Sequence, residues 1–477
     1  MERADIVITV LVIYQVVLLG IGFWASRRTT DGKDFFLAGR QLGPVVAGVS
    51  YASSASSAWT LLGLSGIAYA AGVSAIWVAA GSISGMFVAW WWIAPRLMQY
   101  SRTHDHMTLT DFLAHGAEGG ARRAIVYLSS LVIIFCFVFY IAAQFQGAGN
   151  MFSSTFDMSL PASIGIGAVV IMIYTFLGGF WAVSVTDTLQ GILMAITALL
   201  LPAAAMISVG GLPGLIEGLH AVSSSEQVSF VAGGGFWFAA GVIVGGISIG
   251  IGTYGQPHLL VRFMALRDER ALLQARWIVT FWYLAVYLGM ILLGLAGRIL
   301  LPELGDPETV FFNVNEELLP PIIGAVLLAA VLSAIMSTAD SQLLVAAGVI
   351  AHDLGLGHLG RASLLRVSRV VIVLLVAAAV AVALYLPESI FNRVLFAWIA
   401  LGSAFGPLVF LRLAGYEAAP AAIVLSILTG FSLSVLFYLM PDTPGEILER
   451  LAPFCCAFAV LLAVRKLQIA APRPETA

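Results

Sequence analysis

Ser337-Thr338-Ala339-Asp340-Ser341-Gln342 sets five polar side chains, one a carboxylate, inside an apolar run from about Pro320 to Val349. A carboxylate near mid-bilayer costs about 2.5–3.5 kcal/mol on insertion scales. Such a cluster calls for a water-filled path or a bound cation, and hydroxyl and carbonyl oxygens suit a hard cation such as sodium. A second polar run, Ser50-Tyr51-Ala52-Ser53-Ser54-Ala55-Ser56-Ser57, carries five serines in another apolar stretch. Serines bond to nearby backbone and loosen a helix, so an unwound segment here frees carbonyls at Ser53 and Ser56. Ser337 and Thr338 add hydroxyls, and Ala334, one turn before Ser337, adds a carbonyl. Those oxygens carry no formal charge, which suits a monovalent ion that must also leave. Asp340 at i+3 and Ser341 at i+4 share the face of Ser337. Asp187, in Thr186-Asp187-Thr188, either escorts the ion, forms a second cation site with Ser337 and Ser341, or is a helix N-cap or solvated loop residue. For Asp340 the alternative is a structural carboxylate.

The elements that must position these residues are membrane spans. The chain has 477 residues, 60% hydrophobic and 10% charged, against roughly 25% charged in soluble domains. It therefore reads as an all-α polytopic membrane protein with the lipid bilayer as its surroundings. A net charge of -3 says nothing for nucleic acid. Cys136, Cys455 and Cys456 lie in apolar runs and read as small core residues. Thirteen apolar runs are expected to be helices, at about 4–26, 42–70, 73–97, 124–152, 158–178, 184–208, 231–257, 275–300, 319–347, 364–386, 389–413, 416–440 and 447–467. Arg27 and Arg28 follow the first run rather than precede it, so it reads as a retained span, not a signal peptide. With the N-terminus outside and the C-terminus cytoplasmic, all 23 Lys and Arg except Arg3, Arg298, Arg393 and Arg450 fall in cytoplasmic segments, Arg262 among them. That is the positive-inside pattern, here of a bacterial inner membrane.

The second and seventh runs are interrupted, one by serines and the other by Gly245, Gly246, Gly250, Gly252, Gly255 and Pro257. They lie five helices apart, so they cross in opposite senses, as in two inverted five-helix repeats that meet at a binding site. Small-residue helix packing is the alternative reading. The expected organisation is an N-terminal helix and loop (1–40), a core of two repeats (41–208 and 231–412) and two C-terminal helices with a tail (413–477). His104 and His106 flank Asp105 in what reads as a solvated turn, and no metalloenzyme motif such as H-E-x-x-H is present, so no enzyme is expected.

Several ordered stretches resemble the sodium:solute symporter family, most of all its sodium/proline branch. They are Phe35-Phe36-Leu37-Ala38-Gly39-Arg40 with Leu42-Gly43, Thr108-Leu109-Thr110-Asp111-Phe112, and Tyr174-Thr175-Phe176-Leu177-Gly178-Gly179-Phe180. Ala182-Val183-Ser184-Val185-Thr186-Asp187-Thr188, Gly255-Gln256-Pro257-His258 with Arg262-Phe263-Met264-Ala265, and Met336-Ser337-Thr338 with Gln342-Leu343-Leu344-Val345 follow. The resemblance implies the leucine-transporter-like fold with one extra helix first, and sodium-driven uptake by alternating access. It implies sodium as the coupling ion at Ser53, Ser56, Ala334, Ser337 and Thr338, coupling or gating at Arg40, Ser50, Ser57 and Asp187, and substrate binding or its control at Tyr140 and Pro257. Beside what the resemblance implies, Asp187, Asp340 and Ser341 are expected on a second cation site or ion path, and Ser57, Gln144, Thr253, Tyr254 and Gln256 are expected to complete the substrate pocket. Proline or a related amino acid is the expected cargo. A monocarboxylate, a betaine, proton coupling or a transporter-like sensor are the alternatives, and a monomer is the expected state. The chain departs from the branch at Ala55, where those symporters carry an aspartate, and at Ile249 and Thr253, where they carry Trp and Tyr. Asp340 is expected to supply the lost negative charge from another helix.

Overall fold

A computed structural model describes residues 3–26, 37–175, 180–350 and 361–470. Arg27, Arg28, Lys33 and Arg473, and the motif residues Phe35, Phe36 and Phe176-Leu177-Gly178-Gly179, lie outside them. Among the described residues every regular element is helical. The chain runs through α1 (Arg3–Ser26), α2 (Pro44–Ala58), α3 (Ser65–Ala71), α4 (Ile76–Val88), α5 (Ala94–Thr103) and α6 (Leu109–Leu113). It continues through α7 (Gly119–Phe156), α8 (Leu160–Thr175), α9 (Phe180–Ser208) and α10 (Gly211–Val222). The second half holds α11 (Phe236–Ser248), α12 (Pro257–Ala265), α13 (Glu269–Leu300), α14 (Val310–Leu318) and α15 (Pro321–Gly348). It closes with α16 (Arg361–Tyr385), α17 (Ile390–Leu413), α18 (Pro420–Tyr438) and α19 (Ile447–Ala470).

Eleven described helical stretches are long and apolar enough to cross a membrane, fewer than the thirteen expected. Two differences account for this. The expected runs 42–70 and 73–97 form one helical stretch of 60 residues, Pro44–Thr103, and the run at 158–178 is a shorter apolar helix. At 1.5 Å per residue such a stretch would extend about 90 Å, three times the hydrocarbon thickness. It turns at Gly72, whose φ is +73°. A Cβ there would overlap the Gln227 carbonyl, which accepts the Val73 N–H at 2.9 Å.

The helix starts carry their own signals. Pro44, Pro257 and Pro321 occupy the first turns of α2, α12 and α15, where a missing N–H costs nothing. Asp268 caps α13 by accepting from Ala271 N, and Ser389 caps α17 by accepting from Asn392 N. The α15 and α17 spans are the most enclosed and α1 the least. Large apolar side chains such as Ile207, Phe236 and Trp237 stay exposed, as lipid-facing positions do.

The two interrupted helices meet as antiparallel partners. The start of α2 and the end of α12 are joined by Leu42 N–H to Ala265 O at 3.1 Å and Arg267 N–H to Leu42 O at 3.0 Å. Tyr51 and Phe263 stack between them, with ring centroids 5.2 Å apart. Farther along, Glu308 sits in the loop before α14 and clamps a helix start: its carboxylate accepts Ile390 N–H at 2.9 Å and Phe391 N–H at 2.8 Å. Its backbone packs on Gly66 of α3.

Burial pushes the Glu308 carboxyl up to about 7. Its folded form holds the proton more tightly than the unfolded chain does, so its stabilising contribution is full below the ordinary glutamate range and is lost as pH rises through 7. Melting curves between about pH 5 and 8 are expected to show wild type losing stability relative to Glu308→Gln as pH rises. Parallel curves would contradict this.

Candidate functional site

The helix beginning at α2 breaks where the serine run ends. Ser57 stands at φ +51°, ψ −170°, outside helical space. Four backbone groups around the break find side-chain partners. Ala58 N–H is diverted to Gln144 Oε1 of α7 at 3.0 Å. Ser54 O accepts the Thr338 hydroxyl of α15 at 3.0 Å. Ser57 Oγ accepts Trp59 N–H at 3.2 Å, and Ser56 O takes the Thr60 hydroxyl at 2.5 Å. Thus Gln144, expected at the substrate, spends its acceptor on the break. The Ser56 carbonyl, expected among the ion ligands, is already filled from its own helix, and a cation there competes with Thr60.

Around this break the hydroxyls converge. Ser337 Oγ donates to Ser53 Oγ at 3.0 Å, and Ser54 Oγ lies 3.2 Å from Ser341 Oγ and donates to Ser337 O at 3.1 Å. Ala334 is fully buried one turn earlier on α15. Ser53, Ala334, Ser337 and Thr338 therefore belong to one seam between α2 and α15. Their oxygens are of the kind a monovalent cation takes.

Asp187 is not a helix cap or a loop residue. It lies inside α9 and is fully buried. Its Oδ2 accepts Ser50 Oγ at 2.9 Å and Ser54 Oγ at 3.2 Å, and it pairs with Arg262 Nη2 at 2.7 Å. Arg262 corrects the sequence reading most sharply. Counted there among cytoplasmic charges, it is fully buried on α12. Its spacing from the break at Gln256 was the available signal. Nε donates to Ser50 Oγ at 2.8 Å, while Nη2 also reaches Ser54 Oγ at 2.7 Å and Ser341 Oγ at 2.9 Å. Nη1 donates to His258 O. Removing one partner of such a buried pair costs about 3–5 kcal/mol.

Asp340 is fully buried, and neither carboxylate oxygen has a hydrogen-bond partner among the described residues. It lies seven residues, two turns, after Ser333, so these two share a flank of α15. Ser333 Oγ is 2.5 Å from the Tyr14 hydroxyl of α1, and the Gln190 amide lies beside that hydroxyl. Asp187 and Arg262 are within electrostatic reach of Asp340. Tyr14 and Gln190 went unnoticed in the sequence because single polar residues in apolar runs carry no spacing signal.

Beside the break, Tyr140 of α7 is fully buried next to the Ser57 hydroxyl, and among the described residues its own hydroxyl meets no other hydrogen-bond partner. His258 and Trp398 flank its ring at 6.2 and 6.4 Å. The second interrupted helix unwinds as a tight 3₁₀ turn over Ile249–Gly255. Gln256 Nε2 ties this turn to α17, donating to Gly252 O and Trp398 O at 3.0 Å each, and leaves Oε1 open. A Cβ on Gly252 would overlap the Trp398 indole, so glycine there both packs and unwinds. Tyr254, expected as a pocket wall, instead meets Phe410 edge-on at 4.9 Å. Thr253 is buried. Pro257 lines a narrow cleft with Phe180, Val261 and Leu344, about 30 Å³ in volume. Trp398, which no motif singled out, stands where an aromatic wall was thought lost.

Arg40 lies at the far end of the bundle, donating to His106 O at 3.0 Å and Ser101 O at 3.2 Å. The turn it grips is solvated at His104 and Asp105, as expected, but not at His106. His106 is buried with Nε2 3.1 Å from His115 Nδ1, and burial, reinforced by His115, pushes it down to about 4.

A broken helix whose hydroxyls face a buried aspartate–arginine pair, enclosed by lipid-facing spans, defines a cation-coupled membrane carrier. Residues 35–416 match the sodium:solute symporter family. The osmoregulated proline transporter OpuE of Bacillus subtilis is 33% identical over 94% of this chain and 93% of its own length. The sodium/proline symporter of Escherichia coli is 34% identical over 84% of this chain and 82% of its own. The fold is that of a sodium-coupled sialic acid symporter solved in a substrate-bound outward-open state. That structure has a TM-score of 0.78 at 16% identity and covers 99% of both chains. MhsT in complex with L-phenylalanine is a more distant match, at TM-score 0.56 and 15% identity over 89% of this chain and 98% of that one. The chain belongs to the sodium:solute symporter family, and sodium is its coupling ion.

Thr338→Ala removes the hydroxyl that bridges to Ser54 O, at a net cost of about 1 kcal/mol or a few-fold. The sodium concentration for half-maximal uptake is expected to rise by at least that factor with little loss of folded protein. Unchanged sodium dependence would mean the hydroxyl only packs.

Proposed function

We propose that this protein imports a small amino acid, proline or a close relative, with sodium by alternating access. The observation that carries the reading is the helix break at Ser57, which brings α2 and α15 together through the Thr338–Ser54 hydrogen bond. Sodium held by Ser53, Ser56, Ala334, Ser337 and Thr338 would strengthen that seam, and its loss would weaken it. Asp187, Asp340 and Ser341 serve a second cation or its path. Arg40 and Ser50 couple or gate: Ser50 links Asp187 to Arg262, and Arg40 holds the turn at His106.

The substrate lies against Tyr140, Ser57, Gln256 and Pro257, with Trp398 as the apolar wall. Gln144, Thr253 and Tyr254 support that region. Buried polar atoms left open at Tyr140 OH and Gln256 Oε1 are costly until a polar solute takes them. Half-helix starts at Ala58 and Pro257 carry partial positive charge, which suits a carboxylate. The names of the curated relatives, sodium/proline symporter and proline transporter, favour proline.

The topology follows the same reading. Counting Pro44–Thr103 as two crossings and α8 as one makes thirteen spans, with α1 preceding two inverted repeats at 41–208 and 231–412. The N-terminus is outside and the C-terminus cytoplasmic, in a plasma membrane, and the carrier works as a monomer.

Uptake of labelled proline into proteoliposomes, with sodium and proton gradients imposed separately, tests the proposal. Accumulation is expected only with sodium, and full uptake on a proton gradient alone would overturn the coupling. Competition by other amino acids, betaines and monocarboxylates then sets the cargo. Asp340→Asn is expected to lower uptake per sodium gradient if Asp340 replaces the charge missing at Ala55. Wild-type coupling in that variant would remove the role.

A further inference from the structure

The Arg262 side chain reaches farther into the ion region than a structural anchor needs to. Its Nη2 atom has Asp187 Oδ2 at 2.7 Å, Ser54 Oγ at 2.7 Å and Ser341 Oγ at 2.9 Å. These oxygens come from three different helices, α9, α2 and α15. An Nη group has two hydrogens, so three acceptors at this distance surround it as ligands surround an ion. Hard cations of sodium's size, such as calcium, take oxygens at about 2.3–2.6 Å, so a contraction of a few tenths of an ångström would suit sodium at the same point. Two of the three groups, Asp187 and Ser341, are those assigned above to the second cation.

We infer that Arg262 is a tethered surrogate for that second cation: its guanidinium and a sodium ion occupy the Asp187–Ser341 cage in turn, never together. The inference rests on the second-cation reading of Asp187 and Ser341. Like charges cannot share a buried cage around one carboxylate, so sodium entry requires the guanidinium to withdraw. A narrow cleft lined by Phe180 and Val261, the residue before Arg262, adjoins the cage, and the ring of Phe180 lies 5.6 Å from the guanidinium carbon. Withdrawal in that direction requires the cleft to widen.

The exchange has a use in a carrier. Once sodium leaves, Asp187 would be a bare carboxylate in a low-dielectric core, which is costly. A guanidinium on the same protein restores the pairing at once, so the unloaded carrier can reorient. The surrogate also lowers apparent sodium affinity, because sodium must displace it.

Equilibrium binding of radiolabelled sodium to the purified full-length protein, without substrate, tests this. Arg262→Ala is expected to lower the sodium concentration for half-saturation at least about fivefold, the low end of coupling between linked ligands. Millimolar guanidinium should raise it again in that variant and leave wild type unchanged. A role in packing alone would give no such rescue. Should Arg262→Ala not fold, Arg262→Gln, which keeps much of the side chain but not its charge and leaves every cage oxygen in place, is expected to shift half-saturation in the same direction. Unchanged or weakened sodium binding in a monodisperse variant overturns the surrogate. Asp187→Asn separates the two ideas. If it removes one sodium from the stoichiometry while Arg262→Ala changes nothing, only the surrogate falls. If the stoichiometry stays whole, the second-cation reading fails.

Discussion

A helix in hydrocarbon can be interrupted only where other groups take the hydrogen bonds it gives up, and the break at Ser57 obeys this constraint completely enough to organise the rest of the bundle. Gln144 takes the freed Ala58 N–H and Thr338 takes the Ser54 carbonyl. These two replacements lash α2 to α7 and α15 at the level of the ion seam. The serine run supplies further local partners, at Ser57 for Trp59 and at Ser56 for Thr60. A break satisfied in part by side chains of other helices is rigid while they stay and yields when they part. That is the property alternating access needs at its centre.

Electrostatics sets the second layer. Two carboxylates, Asp187 and Asp340, and one guanidinium are buried together. Arg262 hydrogen-bonds to Asp187 and to the serines around it, and Asp340 has no side-chain hydrogen-bond partner among the described residues. The cluster thus holds more acidic than basic groups in a medium that penalises bare charge, an imbalance that a small cation relieves. Tyr14 brings α1 into the same neighbourhood through Ser333. The least enclosed span is therefore tied by a polar contact to the most functional one.

The substrate region shows how a lost residue is replaced through space. Ile249 and Thr253 stand where the resemblance to the sodium/proline branch implies aromatic side chains. The indole of Trp398 lies against Gly252 and flanks Tyr140 instead. Its Nε1 donates to Ile249 O at 3.0 Å, so the aromatic wall is anchored to the very turn that lacks one. Tyr254, adjacent in sequence to the vacated position, points to Phe410 because the 3₁₀ turn rotates it toward α17.

Sequence alone determined what depends on composition and local pattern. Apolar length set the membrane class, serine and glycine runs set the two interruptions, and the polar turn at Ser337 and Thr338 marked the helix that faces them. Those features are legible because insertion cost and backbone weakening act residue by residue. Tertiary structure decided what depends on who meets whom. It drew Arg262 out of the positive-inside tally and into the core, since charge counting cannot tell a loop arginine from one turned inward beside a carboxylate. It assigned Gln144 to the break, filled the Ser56 carbonyl from Thr60, and buried His106 against His115. It also put Tyr14 and Trp398 at the site from helices with no local marker. Apart from Ser56–Thr60 and His106–His115, which are close in sequence, these are pairings between residues far apart in the chain, and burial and complementary charge in the folded bundle select such pairs where spacing along the chain does not.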